Sequence, residues 1–185
     1  MKKVHINDKI LEVLGGLNVK RFKPTYKIDK VSNIPFVLLE RDNIKGIMFD
    51  VDNTLTTIGK GITDENRKWL KEAKKLGYNI CLVSNTFNVK KVKKIMNELD
   101  VHGLCFARKP GTRVMSMALN IMDLKKEQVI LVGDQLFTDI WGANNFGIKS
   151  ILVNPLSKKE GPFTLIKRPF EKMVLKLLEK EKTND

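Results

Sequence analysis

The sequence predicts a three-layer α/β domain built on a five-stranded parallel sheet. Three observations predict it. Short apolar runs with strand character alternate with amphipathic helical stretches from residue 46 to 154, the pattern of parallel strands joined by crossover helices. Four of those runs end in chemically active groups: Asp50 with Asp52, then Ser84, Lys109 and Asp134. In parallel sheets ligands gather at the carboxyl ends of the strands, so these groups converge on one edge. The 185-residue chain is also long enough for one domain with a real core.

Residues 1–44 read as a basic lead-in. Asp8 to Leu17 forms a short helix, and Lys20, Arg21 and Lys23 surround Phe22. An aromatic among cations suits an anionic membrane surface, and equally an ordinary segment packed on a domain. Ser32–Asn33–Ile34–Pro35 starts a helix that runs to about Arg41. Residues 45–155 form the core. Its first strand, Gly46–Phe49, ends in Asp50 and Asp52, and positions i and i+2 of a strand share a face. Thr57–Ile62 is a mobile loop or small hairpin beside the site. Thr63 caps a helix bearing Trp69, Leu70, Ala73 and Leu76, and Gly77 ends it.

Asn79–Val83 is the second strand, leading into Ser84 and Asn85. Val89, Val92, Ile95, Met96 and Leu99 line the next helix, whose outer lysines 90, 91, 93 and 94 form a solvated face. Gly103–Ala107 is the third strand, followed by Lys109, and a helix spans Thr112 to about Met122. Gln128–Val132 is the fourth strand, ending at Asp134, with a short helix around Thr138–Asn145. Ser150–Val153 is the fifth. Residues 156–185 are a C-terminal loop and an amphipathic helix packed on or near the core. The loop is SKKEGPFTLIKRPF; Phe170, Met173, Val174, Leu177 and Leu178 make the helical stripe. The stripe docks on the domain by default; lying on a membrane or pairing with a partner is the sharper alternative.

Composition bounds the function. Apolar and charged fractions are those of a folded globular protein, and the longest apolar runs are too short to span a bilayer. The N-terminus lacks the apolar block of a signal peptide, which reads as a cytoplasmic protein. Cys81 and Cys105 are expected to be reduced core residues, and His5 and His102 lack companions at ligand spacing. The net charge of +13 favours acidic partners: anionic lipid, nucleic acid or a phosphorylated substrate. Its spread along the chain keeps that support weak.

Two acids buried on one face repel each other unless something compensates, and a divalent cation with a taste for hard oxygen ligands, Mg2+, does so. The plain alternative is a pair of acids at an exposed turn. With the other strand-end groups, a reaction takes shape. Asp50 attacks a phosphoryl group to give an aspartyl-phosphate, and Asp52 protonates the leaving oxygen and later takes a proton from water. Asp50, Asp134 and the backbone carbonyl of Asp52 hold the metal. Ser84 and Lys109 bind the phosphoryl oxygens, and Asp139 orients the metal water or Lys109 from behind. Thr54 and Asn85 either contact phosphate or shape the site.

DVDNT, the strand-terminal Ser84, Lys109 of RKP and GDQLFTD, in that order, resemble the motifs of the haloacid dehalogenase (HAD) superfamily. The resemblance implies a Rossmann-like sheet and magnesium-dependent phosphatase activity. About thirty residues lie between Asp52 and Ser84, and fewer between Ser84 and Lys109, so neither gap holds a cap domain. An uncapped site suits a large or surface-presented substrate. FKPTYKIDKV, IKGIMFDVDNTL, VGDQLFTDIWGANNFG and RPFEKMVLKLLE are similar to the YqeG family, itself similar to phosphatidylglycerophosphate phosphatases. That implies a phospholipid head group as substrate, phospholipid biosynthesis as setting and peripheral attachment to the inner face of a membrane. Two rivals are a soluble phosphatase of nucleotide or sugar phosphates, and a basic RNA- or ribosome-binding protein with an idle site. The intact acids, Ser84 and Lys109 weigh against the second, so no specific nucleic acid is expected.

Overall fold

A computed structural model of the chain describes residues 19–57, 60–157 and 162–183. The expected Asp8–Leu17 helix and His5 lie outside the described residues. Strands are β1 (Tyr26–Lys27), β2 (Gly46–Phe49), β3 (Asn79–Val83), β4 (His102–Leu104), β5 (Val129–Gly133) and β6 (Lys149–Leu152). Helices are α1 (Phe36–Arg41), α2 (Asp64–Lys75), α3 (Val89–Leu99), α4 (Arg113–Met122), α5 (Trp141–Phe146) and α6 (Pro162–Thr183). The sheet is parallel throughout, in the order β1-β6-β5-β2-β3-β4.

The sheet thus has six strands rather than the expected five. The extra strand, β1, comes from the lead-in and pairs Tyr26 and Lys27 with Ile151 and Leu152. Two residues carry no periodic signal, so only the neighbouring edge of β6 reveals this strand. The third strand also stops earlier than expected. Phe106 adopts a positive φ of 53°, which interrupts the extended backbone before Ala107.

The chain runs outward from β2 through β3 to β4, then returns across the sheet to β5 on the other side of β2. The strand order therefore reverses beside β2, and open α/β sheets bind ligands at such a reversal. β2 and β5 are buried along their whole length, as a strand covered on both faces requires. One core layer packs Trp69, Leu70 and Ala73 of α2 and Val92 and Ile95 of α3 against one face. Thr63 caps α2, accepting a hydrogen bond from Asn66 N at 3.3 Å. Leu76, expected on its buried face, is instead exposed beyond the end of the helix. The opposite layer packs Met115, Ala118 and Met122 of α4 with Ala143 and Phe146 of α5.

The stretch expected as a C-terminal loop is helical from Pro162, with Pro169 inside the helix. Little apolar periodicity in SKKEGPFTLIKRPF suggests a loop, and a proline inside a helix removes a donor. Contacts on either side of Pro169 hold this turn: Arg168 reaches Asp134, and Glu171 accepts from Phe137 N at 3.2 Å. Further along α6, Val174 and Leu178 are buried against Val19, Phe22, Leu136 and Ile140. The apolar stripe docks on the domain, while Phe170 at its start stays 43% exposed. Phe22 is likewise buried, edge-on to Phe137 and Trp141. No helix among the described residues is long and apolar enough to cross a membrane.

Candidate active site

Asp50 leaves the end of β2 and is 6% exposed. Lys109 Nζ donates to its Oδ1 at 2.7 Å, while its Oδ2 is buried without a hydrogen-bond partner. The same ammonium donates to the carbonyl of Val83 at 2.8 Å and lies 2.7 Å from Asp139 Oδ1. One cation therefore ties together the ends of β2 and β3 and the turn after β5. Asn85 sets its backbone: Asn85 Oδ1 accepts from Lys109 N at 2.8 Å, and its amide donates to Lys109 O at 3.3 Å. Asn85 here positions Lys109.

Asp134 follows β5 and is 3% exposed. Thr54 Oγ1 donates to its Oδ1 at 3.0 Å. Arg168, from α6, donates to its Oδ2 and, at 2.7 Å, to its main-chain carbonyl. Residues Leu136–Ile140 form a π-helical turn that brings Asp139 back over the end of β5. There Asp139 Oδ2 accepts from Gln135 N at 3.0 Å. Gly133 makes room for this, because a Cβ on it would lie 2.4 Å from Asp139 Cγ. Ser84 is buried at the end of β3, its Oγ accepting from Thr86 N at 3.2 Å.

Carboxylate oxygens of Asp50, Asp134 and Asp139 lie within 4.8 Å of one another. Burial pushes the Asp50 carboxyl up to about 6; Asp139 and Asp52 add to this, and Lys109 opposes it. Burial again, with Asp50 and Asp139, pushes Asp134 up to about 8 against the pull of Arg168. Burial works against the charge of Lys109, but Asp139 and Asp50 outweigh it and hold the ammonium protonated. Three buried acids, with Asp50 Oδ2 orphaned, facing Lys109 and Arg168 fit a hard divalent cation.

The sequence expects Asp50, Asp134 and the main-chain carbonyl of Asp52 as ligands and sets Asp139 behind them. The structure brings the Asp139 carboxylate into one cluster with those of Asp50 and Asp134. The Asp52 side chain is 43% exposed and accepts from Lys91 Nζ at 2.5 Å. Lys91 is thus no part of a merely solvated face. Arg168 and Lys91 escape sequence reasoning because each is one basic residue among many. Their only distinguishing mark is the helical register that turns them toward the site.

Two family models match the chain: a haloacid dehalogenase-like hydrolase over residues 47–129 and a HAD-hydrolase-like model over residues 106–159. The chain is 34% identical over 163 residues to the probable phosphatase YqeG of Bacillus subtilis, covering 88% of this chain and 94% of that protein. The chain belongs to the haloacid dehalogenase-like hydrolases. Within them it is a HAD-type phosphatase of the YqeG branch. It is also 28% identical over 166 residues to the chloroplastic/mitochondrial phosphatidylglycerophosphate phosphatase 1 of Arabidopsis thaliana. That match covers 85% of this chain and 47% of the plant protein, so the chain spans about half its length. Among solved structures, an uncharacterized protein from Listeria monocytogenes serotype 4b superposes with a TM-score of 0.53 at 19% identity. It covers 64% of this chain and 85% of its own, and shares the HAD fold.

Proposed function

We propose that this HAD phosphatase is a magnesium-dependent phosphomonoesterase that works through an aspartyl-phosphate and hydrolyses phosphatidylglycerophosphate at a membrane surface. The orphaned, buried Oδ2 of Asp50 carries the reading. An acid stripped of solvent, with one oxygen fixed by Lys109 and the other unsatisfied, is poised to bond phosphorus or a cation. In the first step a carboxylate oxygen of Asp50 attacks phosphorus, and the bond to the leaving alcohol breaks. Asp52, exposed at the mouth of the site, gives that alkoxide a proton. In the second step water attacks the phosphorus of the acyl phosphate, Asp52 takes its proton, and Asp50 is released with inorganic phosphate. Asp50, Asp134 and Asp139, with the Asp52 carbonyl, would hold Mg2+, which neutralises charge on the phosphoryl oxygens. Lys109 and Ser84 bind those oxygens, and Lys109 keeps its place through Asp139 and Asn85.

Two features support a lipid substrate. The similarity to the plant phosphatidylglycerophosphate phosphatase spans most of this chain. The second feature lies just past the ends of β3 and β4, where Phe87 and Phe106 meet edge-on with centroids 5.4 Å apart, 84% and 48% exposed. Exposed aromatics beside Arg108 suit a peripheral protein resting its active edge on an anionic surface. Phe22, Val174 and Leu178 are buried against the domain, so these three side chains are not free for such a surface.

The test is turnover of phosphatidylglycerophosphate micelles, a nucleotide panel and p-nitrophenyl phosphate with magnesium, for native protein and Asp50→Asn. Magnesium-dependent turnover that prefers the lipid and vanishes in the variant is expected. Turnover surviving in Asp50→Asn overturns the mechanism. Equal rates on soluble esters overturn the lipid assignment alone.

A further inference from the structure

Next to Asp52 the surface opens into a groove of about 760 Å³, of the size that takes small ligands. Five cations line it against two acids. Arg67 is taken by Glu98 at 2.5 Å and Lys91 by Asp52 at 2.5 Å. Lys60, Lys90 and Lys94 make no ion pair among the described residues. Asp52 belongs to both places: it follows the buried Asp50 in the chain and lines the groove.

This arrangement fixes a direction. If Asp52 protonates the leaving oxygen, whatever that oxygen carries must extend past Asp52, away from Asp50 and into the groove. A neutral alcohol would gain little from so many unpaired ammonium groups, whereas an anionic one would gain directly. We infer that the groove between the Lys60–Gly61 turn and the first two turns of α3 binds a second phosphate, in diester linkage, on the leaving-group side of the substrate. The proposal rests on the phosphatase reading above and deepens it. Phosphatidylglycerol, the alcohol released from the proposed lipid, carries one such diester, a few bonds from the oxygen that is protonated. Lys90 and Lys94, one helical turn apart on α3, face the same groove and supply the charge. Lys91 sits between groove and acid, so the diester and Asp52 share it.

The test uses soluble compounds, so that no bilayer enters it. Glycerophosphoglycerophosphate, which has the diester, is compared with glycerol 3-phosphate, which lacks it, in magnesium buffer. The native enzyme should favour the first in kcat/KM by about tenfold or more, chiefly through KM. In Lys90→Ser/Lys94→Ser that ratio should fall towards one. An unchanged ratio, or equal losses on both substrates, overturns the proposal. In parallel, glycerophosphoglycerol is titrated into Asp50→Asn protein with and without the two lysine substitutions. Binding weakened about tenfold by the substitutions is expected. Inorganic phosphate bound as tightly, and lost as completely, would make the groove a general anion site and overturn the assignment to a diester. The titration judges the groove even if Asp50→Asn retains turnover, so the two readings fail separately.

Discussion

Arg168 holds Asp134 twice, through its side-chain carboxylate and, at 2.7 Å, through its main-chain carbonyl. The two residues lie on α6 and just past β5, and Arg168 also donates to Glu171 Oε2 at 2.9 Å. The C-terminal helix therefore supplies the countercharge for one of the three clustered acids. It is as much a part of the site as the strand ends.

Arg168→Ala leaves Asp134 buried beside Asp50 and Asp139, with Thr54 its one remaining side-chain donor among the described residues. Breaking a buried pair by removing one partner costs about 3 kcal/mol where Asp134 is ionised, above about pH 8. The loss should shrink at pH 5.5, where a protonated Asp134 needs no countercharge. Urea unfolding of metal-free protein at the two pH values measures both.

The native protein should show its own pH dependence. Asp50 and Asp134 hold protons up to about 6 and about 8, whereas an unfolded aspartate releases its proton near 3.8. Between pH 4 and 8 the folded state therefore binds more protons than the unfolded state. Its stability falls as pH rises through that window. The metal-free melting temperature should drop from pH 5.5 to pH 8.5, and magnesium should restore most of it at the upper end. A melting temperature that rises over that range contradicts the acidic cluster as described.

Gly133→Ala places a methyl group 2.4 Å from the present position of Asp139 Cγ. The carboxylate must move, and Lys109 loses one of its two acids. Turnover of p-nitrophenyl phosphate should fall about a hundredfold, and the fold should lose about 1–3 kcal/mol to overpacking. Near-native rates would show that Asp139 is not needed to place Lys109.

Cys81 lies in β3 with no exposed surface, and burial pushes its thiol up to about 12. At pH 8 its thiolate is about one part in ten thousand. Iodoacetamide should leave Cys81 unmodified in native protein and label it only as urea unfolds the sheet, while the half-buried Cys105 reacts sooner. Mass spectrometry of tryptic peptides reads the order.

Several parts of this molecule were legible in the sequence because their signals are local. Apolar runs broken by Asp50, Ser84 and Asp134 announce strands that end in polar groups, and the parallel pattern places those ends on one edge. Thr63 capping α2 is likewise a matter of neighbouring residues. What no local pattern discloses is which distant partner a side chain selects. Asn85 grips the backbone of Lys109, Thr54 reaches Asp134, Lys91 takes Asp52 and Arg168 closes over β5. The two-residue strand β1 and the helical path through Pro169 belong with them. By itself the sequence determined where the reactive groups stand along the chain, because backbone periodicity and strand ends depend on a few adjacent residues. The tertiary structure alone decided how those groups pair, because each pairing is a balance of burial, charge and reach among segments far apart in the chain.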